Sequence, residues 1–531
     1  MGAWSLYFLA KLGLYYSHVI GLHWLLNLAL AVVLAWPLVS ARARLLRHAL
    51  AIPVALALLY YDSYLPPWRQ LADQAGALSN FRADYLLELA QRFVPLRWVA
   101  AFAVLALLYL LLQHRLRFAT FAFLGLITAA VLPAPGIAPP PPESNKFVRV
   151  GEQAGNDEAQ EAFSPELSKA QLDTALEAFY GSQHGKTVSF VRAGTANFDL
   201  VLLSVCSLSN DDLDFVQMQN APLLARFDIV FRHFNTAATY SGPAVLRLLH
   251  GSCGQTPQSE LYSGTVSDAC YLFRSLAAAG YRPALLLNHD GSFDHFAEQL
   301  RKDGGLNSDP EDNHFAPVAM TAFDGTPIRA DFELLSQWWT RHESADAHTA
   351  LLYNTITLHD GNRLPGQPSR KSLETFAPRL QRLFSDLGRF IDLIESSGRP
   401  TVIVLIPEHG AALRGDAVQV SGLRELPTPA ITSAPAAIKL VGFPSVALPG
   451  SGPLVVDQPS SYLALTALIA GLTRLGPANP SREVLSALVR ALPSTGWVAE
   501  NNGTVLFRRA GRNYLRSPNG QWNEFGDKTA Q

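Results

Sequence analysis

The chain has 531 residues, which suggests two or three folded units rather than one. Its 42 Lys+Arg against 44 Asp+Glu leave no global basic field to hold nucleic acid, so no nucleic-acid partner is expected. A charged fraction of 16% with 49% hydrophobic residues excludes disorder, and three cysteines are too few for a disulfide scaffold.

The apolar residues crowd into the first quarter. Crossing a bilayer takes about 20 mostly apolar residues, and Leu22–Val39, Ala49–Leu65, Trp98–Gln113 and Phe118–Leu132 are four candidates. Trp4–Ile20 is apolar but carries Lys11, so it reads either as a fifth span or as a helix in the membrane interface. Residues 1–132 are thus expected to be a multi-span α-helical anchor of four or five helices. No small-residue cleavage site follows a short apolar run, so no removable signal peptide is read. Arg42, Arg44 and Arg47 lie between the first two spans, and Arg115 and Arg117 between the last two. Both loops are expected on the cytoplasmic side, which puts everything after the fourth span on the far side. Phe81, Tyr85, Leu89 and Phe93 repeat every four residues, a stripe suited either to the outer membrane surface or to packing against the spans.

Residues 133–185 read as a proline-rich linker and lead-in helix. Pro139–Pro142 is a stiff stub, polar and acidic residues follow it, and Pro165–Tyr180 has a helical pattern. From residue 186 to 531, predicted strands (Phe198–Val205, Tyr281–Leu287, Thr401–Ile406) alternate with predicted helices (Pro243–Leu249, part of Tyr262–Ala279, Ser372–Ser396, Ser461–Leu475). Continuous apolar strands separated by helices indicate a sheet covered on both faces, an α/β/α sandwich. After Trp497, turn signals at Ala510-Gly511 and Asn519-Gly520 predict a C-terminal β-meander.

Reactive groups in such sheets gather where strands end. The first strand runs into Cys206, and the last strong one into Glu408-His409-Gly410. A thiolate, a carboxylate and an imidazole suit Zn²⁺. Neighbouring strand residues face opposite ways, so Glu408 and His409 can share an ion only if the chain turns there, which Gly410 permits. The ordinary alternative is a buried cysteine and a solvated loop pair. Ser241, before Gly242-Pro243 and an apolar run, reads as a nucleophile, as a helix N-cap, or as both. His359, in a loop-like stretch, suits proton transfer to a leaving oxygen, and Arg424 suits phosphate oxygens. Taken alone, each is more often a packing residue. His289-Asp290 with Asp294-His295 is a second metal-cluster candidate of loose spacing, a pattern more often met in ordinary surface residues. Outside the cytoplasm Cys253 and Cys270 are expected to close a loop.

The strings VCSLSNDDL, TYSGPAVLRLL, GSCGQTPQSELY, DACYLF, YNTITLHDGN, PEHGAALRGD, QVSGLRELP and DQPSSYLAL, in order between about residues 195 and 475, closely resemble the BcsG family of cellulose biosynthesis proteins. These are membrane-anchored phosphoethanolamine transferases of the alkaline phosphatase-like superfamily. The resemblance implies one zinc ion held by Cys206, Ser241, Glu408 and His409, with Ser241 as nucleophile and Tyr240, His359 and Arg424 at the phosphate. It implies transfer of phosphoethanolamine from phosphatidylethanolamine to the glucose 6-hydroxyl of cellulose. It also implies a multi-pass protein of the bacterial inner membrane with its catalytic domain in the periplasm, working beside cellulose synthase complex subunits. The rival expectations are the same chemistry on lipid A or another envelope glycan, and a structural subunit of the secretion complex.

Overall fold

The computed structural model describes residues 2–17, 20–63, 80–93, 96–113, 115–131, 167–190, 196–264, 266–367, 371–416, 419–443, 452–475 and 481–525. The chain forms two compact units, Met1–Arg149 and Val150–Gln531. The expected proline-rich linker lies outside the described residues.

In the first unit the described helices are α1 (Trp4–Tyr16), α2 (Trp24–Ala35), α3 (Ala41–Asp62), α4 (Ala83–Phe93), α5 (Leu96–Leu112) and α6 (Phe118–Val131). Phe8, Leu30, Leu34, Ala55 and Leu126 bury one another, while Leu25, Leu56, Leu107 and Leu111 point outward. A broad apolar exterior of this kind marks a surface that meets something other than water. Ala41–Asp62 alone among the described helices is long and apolar enough to cross a membrane; Trp24–Ala35, Val99–Leu112 and Phe118–Val131 are apolar but shorter. Lys11, the charge in the first apolar stretch, is buried against Asp62 and donates to Asn27 Oδ1 at 2.8 Å. Asn27 Nδ2 in turn donates to Asp62 Oδ2 at 2.7 Å, so the buried cation has both a counter-charge and hydrogen bonds. Of the stripe that leads into and along α4, Tyr85 is buried and Phe81 and Leu89 are half-buried, while Leu87 on the other side is exposed.

The second unit is built on seven strands: β1 (Asp199–Cys206), β2 (Ile229–Phe231), β3 (Arg282–Leu287), β4 (Thr349–Thr355), β5 (Thr401–His409), β6 (Ala437–Val441) and β7 (Leu454–Val456). Their order is β7-β2-β6-β5-β1-β4-β3. β6 is antiparallel to both neighbours and the remaining pairs are parallel, so the sheet is mixed. Every residue of β1, β4 and β5 is buried, as their continuous apolar runs require. β4 was not legible as a strand, because Ala350–Tyr353 is only four apolar residues and periodicity cannot separate so short a run from helix.

The longer helices of this unit are α7 (Lys169–Gln183), α8 (Ser241–Leu249), α9 (Leu272–Ala278), α10 (Phe296–Lys302), α11 (Asp331–His342), α12 (Phe376–Ser397), α13 (Tyr462–Leu475) and α14 (Arg482–Arg490), with short turns of helix at Asn210–Phe215 and Pro429–Thr432. Leu200 and Leu202 of β1 share a core with α8, α9, α10 and α13. Val201 and Leu203, pointing the other way, share one with Trp338 and Trp339 of α11 and Leu383 and Phe390 of α12. Helices therefore cover both faces, the sandwich that the strand pattern predicts.

After Trp497 come β8 (Val498–Asn501), β9 (Thr504–Arg509), β10 (Arg512–Arg516) and β11 (Trp522–Phe525), a four-stranded meander in sequence order. It has one more turn than the sequence reading found, at Asn502-Gly503, where both residues have positive φ (45° and 81°) as a tight hairpin requires. Leu172 and Leu176 of α7 pack on Val498, Val505, Phe507 and Tyr514, so the lead-in helix is built into the second unit. Cys253 and Cys270 are joined by a disulfide, and Cys206 is free and buried.

Candidate active site

β1 and β5 are parallel neighbours, so the residues that end them meet at one edge of the sheet. Val205 pairs with Pro407, but Cys206 pairs with His409, a register shift that leaves Glu408 as an extra residue on β5. This bulge is how two adjacent residues come to serve one site, since the added residue undoes the strand's alternation. The turn is thus made before Gly410 rather than at it. Gly410 has a different purpose: a Cβ there would stand 2.6 Å from Ser209 Oγ and 2.9 Å from Asp212 Oδ2. Asp212 needs that approach. Its carboxylate accepts from Ala411 N at 2.7 Å and Leu413 N at 3.1 Å, fixing the loop beyond His409.

Ser241 approaches the same point from the start of α8. It is the first helical residue, and Tyr240 is the N-cap, so the hydroxyl does not cap its own helix. Its Oγ instead lies 3.2 Å from Cys206 Sγ and 3.4 Å from His409 Nε2. Cys206 Sγ and His409 Nε2 are 3.8 Å apart. Single ligand atoms of Cys206, Glu408 and His409 all lie within 4.8 Å of one another, the one such His/Cys/Asp/Glu group among the described residues. The looser set around His289 does not gather. His289 is buried, whereas Asp294 and His295 are exposed.

Each ligand candidate is aimed by neighbours. Glu408 Oε1 accepts from Ser204 Oγ at 2.9 Å and from Asn354 Nδ2, while Oε2 is buried with no hydrogen-bond partner. A buried carboxylate oxygen left bare in this way is costly unless something else binds it. His409 Nδ1 is 2.9 Å from Gly410 O, so Nδ1–H donates there and the Nε2 lone pair faces Cys206 and Ser241. Burial pushes the Cys206 thiol up to about 12, with the Glu408 carboxylate adding to the effect. Burial also raises the Glu408 carboxyl and, ahead of the Arg424 charge, holds His409 well below its ordinary value. A soft sulfur, a bare oxygen and an unprotonated ring nitrogen around one point suit a divalent cation.

A cation held there needs the Cys206 thiolate, yet that thiol is protonated at neutral pH. Binding should therefore release a proton, and affinity should rise about tenfold per pH unit for one proton. Calorimetric titration in two buffers of different ionisation enthalpy counts it. An affinity that stays constant between about pH 6 and about pH 8 would remove Cys206 from the ligand set.

Arg424 and Tyr240 form one wall. Arg424 is buried, its Nη1 donates to Ser207 Oγ at 3.0 Å, and its guanidinium carbon lies 5.2 Å from the Tyr240 ring centroid. Tyr240 donates to Glu425 Oε1 at 2.7 Å, and burial and that carboxylate keep its phenol un-ionised. His359 stacks on Phe323 at 4.6 Å, and its Nδ1 is 2.6 Å from Asp360 O. Burial and then the Arg424 charge bring its pKa down to about 4, so at neutral pH it is uncharged. With Nδ1–H on the Asp360 carbonyl, Nε2 is a proton acceptor. That suits an attacking oxygen, which has a proton to give up.

Three supporting residues were not found from sequence. Ser204 lies two positions before Cys206 on the same strand face, a signal that was available. Asn354 sits on the unrecognised β4; its Oδ1 is 3.0 Å from His289 Nε2, which turns its amide N–H toward Glu408. Arg379 of α12, fully buried, donates to Thr357 O at 2.7 Å and His359 O at 2.9 Å, holding the His359 loop.

The chain is similar to several known proteins. The cellulose biosynthesis protein BcsG N-terminal domain matches residues 4–131, and the BcsG C-terminal domain matches residues 156–522. The chain is 33% identical over 541 residues to the cellulose biosynthesis protein BcsG of Salmonella typhimurium, covering 98% of this chain and 96% of that one. It is 33% identical over 543 residues to that of Escherichia coli K12, with the same coverage. Among solved structures, a protein in the alkaline phosphatase superfamily from Vibrio parahaemolyticus covers 66% of this chain and 87% of its own at 14% identity, with a TM-score of 0.48. The C-terminal periplasmic domain of EcEptC from Escherichia coli covers 59% and 93% at 13% identity, with a TM-score of 0.43.

Proposed function

The chain belongs to the BcsG family of cellulose biosynthesis proteins, and on that premise we propose that it is a zinc-dependent phosphoethanolamine transferase acting on cellulose. The donor is phosphatidylethanolamine, the acceptor is the glucose 6-hydroxyl, and Ser241 carries the group between them. The observation behind this reading is the convergence of Ser241 Oγ, Cys206 Sγ and His409 Nε2 beside the partnerless Glu408 Oε2. Such a set has no structural task that would justify burying it together.

In the first step Ser241 Oγ gives up its proton and attacks the phosphorus, the bond to the diacylglyceryl oxygen breaks, and that oxygen takes up the released proton and leaves as diacylglycerol. In the second, the 6-hydroxyl oxygen attacks the phosphoserine ester. His359 Nε2 takes the hydroxyl proton, and Ser241 Oγ leaves and is reprotonated. Arg424 forks onto the equatorial oxygens, where its fixed charge is worth more than in water. Cys206, Ser241, Glu408 and His409 would hold the zinc ion, which when bound lowers the pKa of the serine hydroxyl and offsets charge on the transferred group. Tyr240, un-ionised and tied to Glu425, keeps the nucleophile's flank in place.

On this reading residues 1–132 are a multi-span inner-membrane anchor beside the cellulose synthase complex, with the catalytic unit in the periplasm. Confinement with a lipid donor raises its effective concentration at Ser241. Cellulose from cells with and without the protein tests the assignment: phosphoethanolamine ester should appear on glucose only when the protein is present. Ethanolamine on lipid A with none on the glucan would overturn it, and unchanged products in both would leave a structural subunit.

A further inference from the structure

The proposed chemistry makes no use of β8, yet this strand is bonded to the chain before the nucleophile, to its helix and to the Arg424–Glu425 turn. Glu500 is only 7% exposed. Its Oε1 accepts from Tyr180 OH of α7 and from Arg247 Nη2 of α8 at 3.4 Å, and its Oε2 accepts from Gln258 N at 3.1 Å. Its backbone N–H donates to Ala237 O at 3.1 Å. Ala237 is a non-glycine residue at φ 59°, a conformation that persists only where its surroundings impose it. Asn235 Nδ2 adds a bond to Val498 O at 2.9 Å.

The next residue serves the other flank. Asn501 is 3% exposed, and its Nδ2 donates to Glu425 O at 2.9 Å and to Glu425 Oε2 at 3.4 Å. The second oxygen of that carboxylate accepts from Tyr240 OH at 2.7 Å. Consecutive strand residues point to opposite sides, so Glu500 reaches the body of α8 while Asn501 reaches the Arg424–Glu425 turn. Ser241 has no side-chain cap to fix its helix start. Its position is left to the packing of α8 and to Tyr240 just before it.

We propose that Glu500 and Asn501 are positioning residues for Ser241, and that the C-terminal meander is a working part of the catalytic unit rather than an appendage. Glu500 holds α8 through Arg247 and holds the strained approach through Ala237. Asn501 holds Tyr240 through Glu425. The kinetic consequence rests on the transferase reading; the positional one does not.

The test uses the full chain in vesicles containing phosphatidylethanolamine, with a soluble cello-oligosaccharide as acceptor and diacylglycerol release as the activity. Asn501→Ala should lower kcat about tenfold with KM and zinc affinity unchanged, since small misplacements of a reacting group cost rate rather than binding. In a Tyr240→Phe background, which cuts the same link, Asn501→Ala should cost less than about twofold. Fully additive effects would overturn the proposal. If Asn501→Ala fails to fold, Asn501→Asp, which sets a carboxylate against Glu425, should give the same loss. Glu500→Gln should raise amide exchange in peptides covering residues 237–249 but not in those covering 462–475. A uniform rise across both, or none in either, defeats the positional claim. If wild-type protein releases no diacylglycerol, the transferase reading fails while the exchange pattern still decides this one.

Discussion

Replacing Ser241 with alanine should cut phosphoethanolamine transfer about 10⁴-fold or more, since a covalent route has no substitute once its nucleophile is gone. The same change should leave the fold almost untouched, because Ser241 does not cap α8 and its hydroxyl contacts are the site's own Cys206, His409 and Glu408. Incubating wild-type protein with donor and no acceptor should place phosphoethanolamine on the peptide carrying Ser241, and mass spectrometry should find none on the variant. Transfer by the variant at the wild-type rate, or an adduct on another residue, would show that the nucleophile lies elsewhere.

The second large effect concerns Glu408. Altering residues that merely support a metal ligand weakens binding about 10- to 100-fold. Glu408→Gln, which replaces a ligand oxygen by an amide, should therefore weaken zinc binding about a hundredfold at least. Its effect on the metal-free protein should have the opposite sign. The Glu408 carboxyl has its pKa raised above the usual 4.5 by burial. A group raised in this way favours the native state below its unfolded pKa and loses that contribution as pH climbs through the folded one. Above its unfolded pKa the buried acid is then a liability that a bound cation offsets. Metal-free Glu408→Gln should melt at or above the metal-free wild type, and added zinc should raise the melting temperature of the wild type alone. A variant less stable than wild type without metal, or stabilised equally by zinc, would contradict the ligand role of Glu408.

These two residues also show what each level of structure contributes. β1 and β5 were legible because they are buried on both faces, and burial writes itself into sequence as an unbroken apolar run. Their ends, Cys206 and Glu408-His409, followed directly. The meander was legible from turn chemistry, apart from one hairpin. Short matching strings carried the family, because they record which residues sit where without any need to know why.

Other features are invisible locally. The bulge that lets Glu408 and His409 share a site exists only in the pairing of β5 with β1. Ser241 reads as a nucleophile, a cap or both in sequence and proves to be the first helical residue, with Tyr240 as the N-cap. Asn354, Arg379, Glu500 and Asn501 look ordinary in the chain, and they matter because the strand order and the docked meander bring them beside residues up to 320 positions away. Periodicity and turn preference are properties of a few neighbouring residues, so sequence alone determined the elements and the reactive residue types. The convergence of side chains on one point depends on sheet order and register, and only the tertiary structure could decide it.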